Sequence, residues 1–237
     1  MELIDEQYLE TPFYGSRRMR EMLRSHGYIV NRKRVIRLMR QMGLEAIYPR
    51  PKTSNRSPEH KVYPYRLRNL SIDFPNQVWC ADITYIPLAN GFMYLVAIMD
   101  WFSRYVLSWE LSNTLDTFFC LSALEDALLK AKPTIFNTDQ GAQFTSHDFT
   151  GRLTQAEIEI SMDGRGRFLD NIFIERLWRS LKQENIYIYR YDSVSELEEG
   201  LQWYFQFYNF RRPHQSFDYQ TPAQVYMAQH PQNQKLI

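Results

Sequence analysis

Apolar residues at helical spacing mark two segments near the start of the chain. Met19, Met22 and Leu23 recur with a 3.6-residue period behind Ser16, which predicts an N-cap at Ser16 and a helix over Arg17 to Ser25. His26-Gly27-Tyr28 ends it, since glycine after a last turn is a common stop. Val35, Leu38, Met39 and Met42 fall at i, i+3, i+4 and i+7 behind a second cap, Asn31, and Gly43 closes this helix. Two short helices joined by a turn fit a helix-turn-helix, and they equally fit a helical hairpin that binds nothing. From Tyr48 to about Asn69 no apolar period is sustained. Pro49, Pro51, Pro58 and Pro64 stand among Arg50, Lys52, Arg56, Lys61, Arg66 and Arg68, which predicts an extended basic linker.

Beyond Phe74-Pro75 the period becomes that of strands. Gln77 to Ile86 is rich in β-formers and stops at Pro87; Asn90-Gly91 is a turn, and Phe92 to Met99 a second strand. Arg104 to Leu111 completes a three-stranded meander. An amphipathic helix follows over Leu115 to Ala131, then a short strand at Thr134–Asn137, a helix around Ser146–Gln155 and a strand at Glu157–Ile160. Gly164 and Gly166 mark a flexible loop ahead of a long helix from about Asp170 to Asn185. A final helix begins at Ser193, where Ser193 and Glu196 make a capping box, and ends near Asn209. The order β-β-β-α-β-α-β-α predicts an α/β fold, a mixed sheet with helices on both faces. The expected divisions are a helix-turn-helix-like region at 1–48, a linker at 49–73, an α/β core at 74–190, and a C-terminal helix and tail at 191–237.

Charge changes the picture. The net charge of +1 hides an asymmetry: residues 1–70 hold 15 Lys and Arg against 7 Asp and Glu, and the remainder holds 13 against 20. A basic front end suggests a polyanion partner, with a solvated basic helix pair as the plainer alternative. Arg32, Lys33, Arg34, Arg37 and Arg40 fill most of the second helix's non-apolar positions. No apolar run reaches the ~18–20 residues of a membrane helix. The acidic start Met1-Glu2-Leu3-Ile4-Asp5-Glu6 is unlike a signal peptide. Cys80 and Cys120 make no CxxC pair, and His26, His60, His147, His214 and His230 have no zinc-ligand spacing. A cytoplasmic setting is expected, with no membrane partner.

Three acids carry the candidate chemistry. Asp82 sits in mid-strand, where alternation puts Cys80, Asp82 and Thr84 on one face and Trp79, Ile83 and Tyr85 on the other. A carboxylate there is costly to bury unless it is paired or holds a metal. Asp139 follows a strand and precedes Gly141. Glu175 lies in the long helix, whose buried stripe is Ile174, Leu177, Trp178 and Leu181, with Glu175, Arg179 and Lys182 on the adjoining edge. Hard oxygen donors from separate elements suit Mg²⁺ or Mn²⁺, and a shared Asp82 would let two ions bind about 3.5–4 Å apart. Each acid also has a bland reading: Asp82 paired with a core Arg, Asp139 in a turn, Glu175 solvated beside Arg179. Asp100, Asp163 and Asp170 compete for the same roles.

The assembled blocks resemble the integrase-core transposases of the bacterial IS-three family, specifically their second-frame product, OrfB. Trp79-Cys80-Ala81-Asp82-Ile83-Thr84-Tyr85 is similar to that family's first catalytic block, and Thr138-Asp139-Gln140-Gly141-Ala142-Gln143-Phe144 to its second. Asp170-Asn171 through Glu175, with Trp178, Leu181 and Lys182, resembles the third, and 35 residues separate Asp139 from Glu175, the spacing of a D,D(35)E signature. Tyr208-Asn209, Arg212-Pro213-His214 and Thr221-Pro222 resemble its terminal block. The resemblance runs from about Tyr14 to Tyr226.

It implies a ribonuclease-H-like core, a mixed five-stranded sheet with flanking helices. Asp82, Asp139 and Glu175 would be catalytic metal ligands for two Mg²⁺ or Mn²⁺ ions. The implied substrate is double-stranded DNA, at the element's terminal repeats and a target, with one strand hydrolysed and the freed 3′-OH attacking a second phosphodiester. Lys182 would contact terminal phosphates. Arg179, Asn171 and the cations of the second basic helix are further candidate DNA contacts; Asn171 could instead orient Glu175. Arg212 and His214 would support the active site or the backbone. Synapsis implies a homo-oligomer, and an upstream OrfA partner is implied as well. Asp163 stands where many relatives have Ser, and Ile172 where Ala is common. The alternative is an inactive, transposase-derived DNA-binding regulator.

Overall fold

The computed structural model describes residues 1–46, 61–89, 91–164 and 171–228. The expected turn at Asn90, Gly166, the helix start at Asp170 and most of the Pro-rich linker lie outside the described residues. The chain divides into two compact units, Met1–Asn55 and Arg56–Ile237.

The first unit holds three helices: α1 (Glu2–Glu10), α2 (Ser16–Ser25) and α3 (Arg32–Gln41). Their core is Ile4, Met19, Leu23, Val35 and Met39. The periodicity of α2 and α3 was legible, but α1 buries only Ile4 fully, too sparse a signal to predict it. Tyr8 in α1 donates to the Glu45 carbonyl at 2.6 Å, tying α1 to the segment after α3. Asn31 caps α3 as expected, accepting from the Lys33 N–H at 3.0 Å. Ser16 does not cap α2. It is the helix's first residue, preceded by Gly15, and its hydroxyl instead accepts from Arg32 Nε at 3.2 Å.

The second unit is built on five strands, β1 (Val78–Leu88), β2 (Gly91–Asp100), β3 (Val106–Ser112), β4 (Ile135–Thr138) and β5 (Glu159–Met162), in the order β3-β2-β1-β4-β5. β1, β2 and β3 form the antiparallel meander, and β1-β4 and β4-β5 are parallel. The helices are α4 (Phe118–Leu128), α5 (His147–Gln155), α6 (Ile172–Leu181), α7 (Tyr187–Tyr189), α8 (Val194–Phe210) and α9 (Pro222–Ala228). Strand alternation divides the apolar interior in two. Trp79, Ala81, Val96 and Ile98 face α4 and α5, and Cys80, Leu95, Ala97 and Met99 face α6 and α8. Both cysteines are free and buried. Among the described residues no helix is long and apolar enough to cross a membrane.

Several boundaries moved for physical reasons. β1 runs through Pro87 to Leu88, because β4 pairs only with Val78–Cys80 and leaves that flank without a ladder for proline to break. β5 starts two residues later than expected, since Glu157 takes a left-handed turn (φ 56°) after α5. Lys61–Asn69 is not a free linker. Arg66 N–H donates to Ser161 Oγ at 3.0 Å, and Leu67 packs with Val78 and Ile135. The expected long helix is regular only to Leu181 and then widens into a π-helical turn, Lys182–Ile186. Ser193 caps α8 through the Glu196 N–H, but Glu196 returns its carboxylate to Asp192 rather than to Ser193, so the box is not reciprocal. A reciprocal box does start α9: Thr221 Oγ1 accepts from Gln224 N–H, and Gln224 Oε1 from Thr221 N–H.

Two side chains lock α8 to its surroundings. Asn209 exchanges both amide hydrogen bonds with the backbone of Val106, at 2.9 Å each, and so stands in for a neighbouring strand at the exposed edge of β3. Gly200 sits mid-helix because the Tyr191 ring occupies the space where its Cβ would lie; Tyr191 in turn donates to Asn185 Oδ1 at 3.1 Å, inside the π-helical turn. Glycine costs about 1 kcal/mol in a helix interior, so alanine would ordinarily stabilise this position. Here Gly200→Ala is expected to lower stability by roughly 1–3 kcal/mol, the usual cost of overpacking, in urea unfolding monitored by circular dichroism.

Candidate active site

β1 and β4 are adjacent parallel strands, and their register pairs Cys80 with Asn137. Asp82, two residues past that pair, is still within β1 and opposite Ala97 of β2, whereas Asp139, also two residues past it, lies just beyond the end of β4; the shared register brings the two acids side by side. Asp82 takes the parity of Cys80, which turns it toward α6. There Ile174, Leu177, Trp178 and Leu181 are buried as the stripe predicted, which leaves Glu175 and Arg179 exposed and Lys182 half-buried. Trp178 Nε1 donates to Asp82 Oδ2 at 2.9 Å across the gap between helix and strand.

The electrostatics report the crowding. Asp82 is pushed up to about 6, first by burial and then by the negative charge of Asp139. Hydrogen bonds from Trp178 and the Ile83 N–H oppose the rise, and Glu175 adds to it. The ammonium of Lys182 is held below the usual lysine range by burial, against a pull from Asp82 that favours its charge. All three acids and Lys182 thus share one field. They are not drawn into a preformed cage: among the described residues no three His, Cys, Asp or Glu side chains stand as a metal-ligand cluster. Mutual repulsion between uncompensated carboxylates is reason enough for that spacing.

The loop after β4 is braced by its own side chains. Asp139 Oδ1 accepts from the Gly141 N–H at 2.8 Å. A Cβ at position 141 would come within 2.9 Å of that same oxygen, so any other residue there would push the Asp139 carboxylate aside. Gln140 donates to the Asp163 carbonyl and Gln143 to that of Leu115, each at 2.8 Å. Asp163, the competing acid at the end of β5, is buried and accepts from Asn137 Nδ2 at 2.8 Å. Asp100 is buried elsewhere, accepting from Asn76 N–H and from Ser103.

The other expected residues divide. No ion pair joins Glu175 to Arg179 among the described residues. Asn171 is buried at the start of α6 with its Oδ1 unpartnered, and no hydrogen bond connects it to Glu175. Arg212 does not reach the three acids. It forms a two-point pair with Glu184, at 2.9 and 2.6 Å, which also accepts from Tyr204. His214 bonds Ser216 and packs edge-on against Tyr208. The terminal block therefore braces the π-helical turn that begins at Lys182. Sequence reasoning missed Glu184 and the hydrogen-bonding role of Trp178; a buried indole N–H needs an acceptor, and that signal was available. In the first unit, Arg32, Lys33, Arg34, Arg37 and Arg40 are all exposed; Lys33, Arg37 and Arg40 lie away from the buried Val35 and Met39, and Arg32 lies beside that stripe, donating to Ser16 of α2.

Comparison with known proteins agrees with this architecture. Family models match an HTH-like domain over residues 1–52 and an integrase core domain over 73–167, with a second integrase core model over 156–222. A transposase for insertion sequence element IS904 from Lactococcus lactis is 32% identical over 216 residues, covering 88% of this chain and 85% of that protein. A transposase for IS629 from Shigella sonnei is 31% identical, covering 91% and 74%. Transposase InsF for IS3A from Escherichia coli is 35% identical, covering 73% and 62%. Among solved structures, the catalytic core domain of HTLV-2 integrase in complex with magnesium aligns with a TM-score of 0.53 at 22% identity, over 65% of this chain and 97% of that one. The integrase of a simian T-cell lymphotropic virus intasome aligns with a TM-score of 0.59 at 19% identity, over 94% and 74%. The solved structures establish the ribonuclease-H-like integrase fold, and the sequence relatives establish the rest: the chain belongs to the IS-three (IS3) family of insertion-sequence transposases, enzymes with a polynucleotidyl-transferase core.

Proposed function

We propose that Asp82, Asp139 and Glu175 are the metal ligands with which this transposase cuts one strand at each end of its element and joins the freed 3′-OH to target DNA. The observation that carries the reading is the electrostatic stress on Asp82. Asp82 is raised to about 6 by burial, Asp139 and Glu175, and a divalent cation relieves such a stress. The donors are hard carboxylate oxygens, which fit Mg²⁺ or Mn²⁺, and a shared Asp82 suits two ions. When bound, the ions supply charge neutralisation of the phosphodiester during in-line displacement.

The chain's own part is positional. β1 and β4 fix two acids in step, and α6 brings the third. In joining, the incoming 3′ oxygen forms a bond to phosphorus as the target's P–O3′ bond breaks, and the departing 3′ oxygen takes up the proton. Lys182 meets a phosphate beside this centre, with Arg179 and Asn171 as further contacts on α6. Arg32, Lys33, Arg34, Arg37 and Arg40 lie along a DNA backbone or groove, so residues 1–48 dock DNA, 49–73 connect, 74–190 carry the chemistry and 191–237 support it through α8, which packs with α6. Synapsis of two ends needs at least two copies, and an upstream OrfA protein is the proposed partner for end recognition.

The test is Mg²⁺-dependent cleavage and joining on DNA carrying the source element's ends, with and without OrfA. Asp139→Asn is expected to abolish products without lowering the metal-free melting temperature, since it removes one of the mutually repelling charges. Persistent product would defeat the ligand assignment, whereas metal-independent binding shared by both proteins with no product from either would favour the regulator. Gly141→Ala crowds Asp139 and is expected to slow joining roughly 10–100-fold in single-turnover assays, because small misplacements of reacting groups cost about that much. Replacing both Arg37 and Arg40 with Ala should weaken binding to unrelated duplexes alike and flatten the slope of log K against log salt by about 2.

A further inference from the structure

Trp178 makes a contact that its place in the buried stripe does not require. Its ring is packed among the residues that seat α6 and α8 on the sheet, with the residue only 6% exposed. Its one polar atom, Nε1, donates to Asp82 Oδ2 at 2.9 Å, so the indole spans from helix to strand. Indole offers a donor and no acceptor, so this bond has one direction and cannot invert. Asp82 has two anchors, the Trp178 N–H and the backbone N–H of Ile83. A carboxylate has about four acceptor positions, so roughly half its capacity stays open for other partners.

Trp178 and Glu175 are three residues apart on α6, which is regular α-helix through Leu181. They therefore lie on neighbouring lines of one helix surface. A shift of α6 that moves Glu175 also moves the donor that orients Asp82, which couples the strand acid to the helix acid.

We infer that Trp178 is a positioning residue: its indole N–H holds the Asp82 carboxylate in one orientation, so that Asp82 meets an arriving cation in a fixed pose while the other acids close on it. This rests on the reading of Asp82 as a metal ligand. Partners of this kind typically contribute 10–100-fold in metal affinity, by fixing the orientation of the ligand they hold.

The experiment uses the full chain in three forms besides wild type: Trp178→Phe, 3-benzothienylalanine at position 178, and Asp82→Asn. Benzothienylalanine keeps the bicyclic shape and replaces N–H by sulfur, so packing is preserved while the donor is lost. Mn²⁺ affinity is measured by electron paramagnetic resonance of the free ion, melting temperature by differential scanning calorimetry, and joining as a function of Mg²⁺ concentration. The expected result is a Kd for Mn²⁺ raised about tenfold in both Trp178 variants. The benzothienyl protein should melt as wild type does, and joining should be recovered by higher Mg²⁺ with its saturating rate within about threefold of wild type. Unchanged Mn²⁺ affinity in the benzothienyl protein, with binding lost in Asp82→Asn, overturns the inference and leaves the ligand assignment standing. A loss in Trp178→Phe that the benzothienyl protein does not share also overturns it, because the effect is then packing. Wild-type Mn²⁺ affinity in Asp82→Asn sinks the ligand assignment and this inference with it.

Discussion

Like charges resist being gathered, and the architecture around Asp82 is arranged against that resistance. The parallel pairing of Cys80 with Asn137 sets Asp82, within β1, beside Asp139, just past β4, in a register fixed by backbone hydrogen bonds rather than by the acids themselves. The apolar burial of α6 then brings Glu175 into the same field. Fully burying a Leu or Ile side chain is worth about 1.5–3 kcal/mol, and four side chains of α6 are buried, so packing holds the helix in place against the repulsion. The rise in the proton affinity of Asp82 comes first from its burial and then from that repulsion. Strain of this sort is typical of sites whose work needs a charge that the fold alone does not supply.

Around this centre the supporting parts are polar and mostly half-buried. Asp139 is restrained by its own loop, through Gly141, and Asp82 by Trp178. Glu184 gathers Arg212 and Tyr204 just beyond Lys182, in a π-helical turn, a feature that appears frequently at functional sites. The terminal block is thus joined to the end of α6 although 28 residues separate Arg212 from Glu184. Asn209, in the same block, covers the edge of β3. Segments that read as separate motifs along the chain serve one scaffold.

Local chemistry made much of the fold legible. The periods of α2 and α3, the Asn31 cap, the meander and the stripe of α6 depend on neighbours within a few residues, and these were read correctly from the chain. Failures came where a distant contact ruled. Ser16 was taken by Arg32 instead of capping its helix. Lys61–Asn69, basic and Pro-containing, was drawn onto β5 by Ser161 and by the burial of Leu67. Helix α1 stayed unseen because it contributes little apolar surface of its own.

The sequence by itself determined the family, through the order and spacing of its blocks, and with it the α/β core and the three candidate acids. Residue type and spacing suffice for that, because they record which chemistry is available along the chain. Only the tertiary structure decided how the acids meet. It set Asp82 beside Asp139 through the pairing of β1 with β4, turned Trp178 from a core residue into a donor for Asp82, and gave Arg212 the part of a brace on Glu184. The physical reason is that hydrogen-bond direction and Coulomb coupling depend on distances in space. Positions along the chain, such as the offset of 96 from Asp82 to Trp178, carry no trace of them.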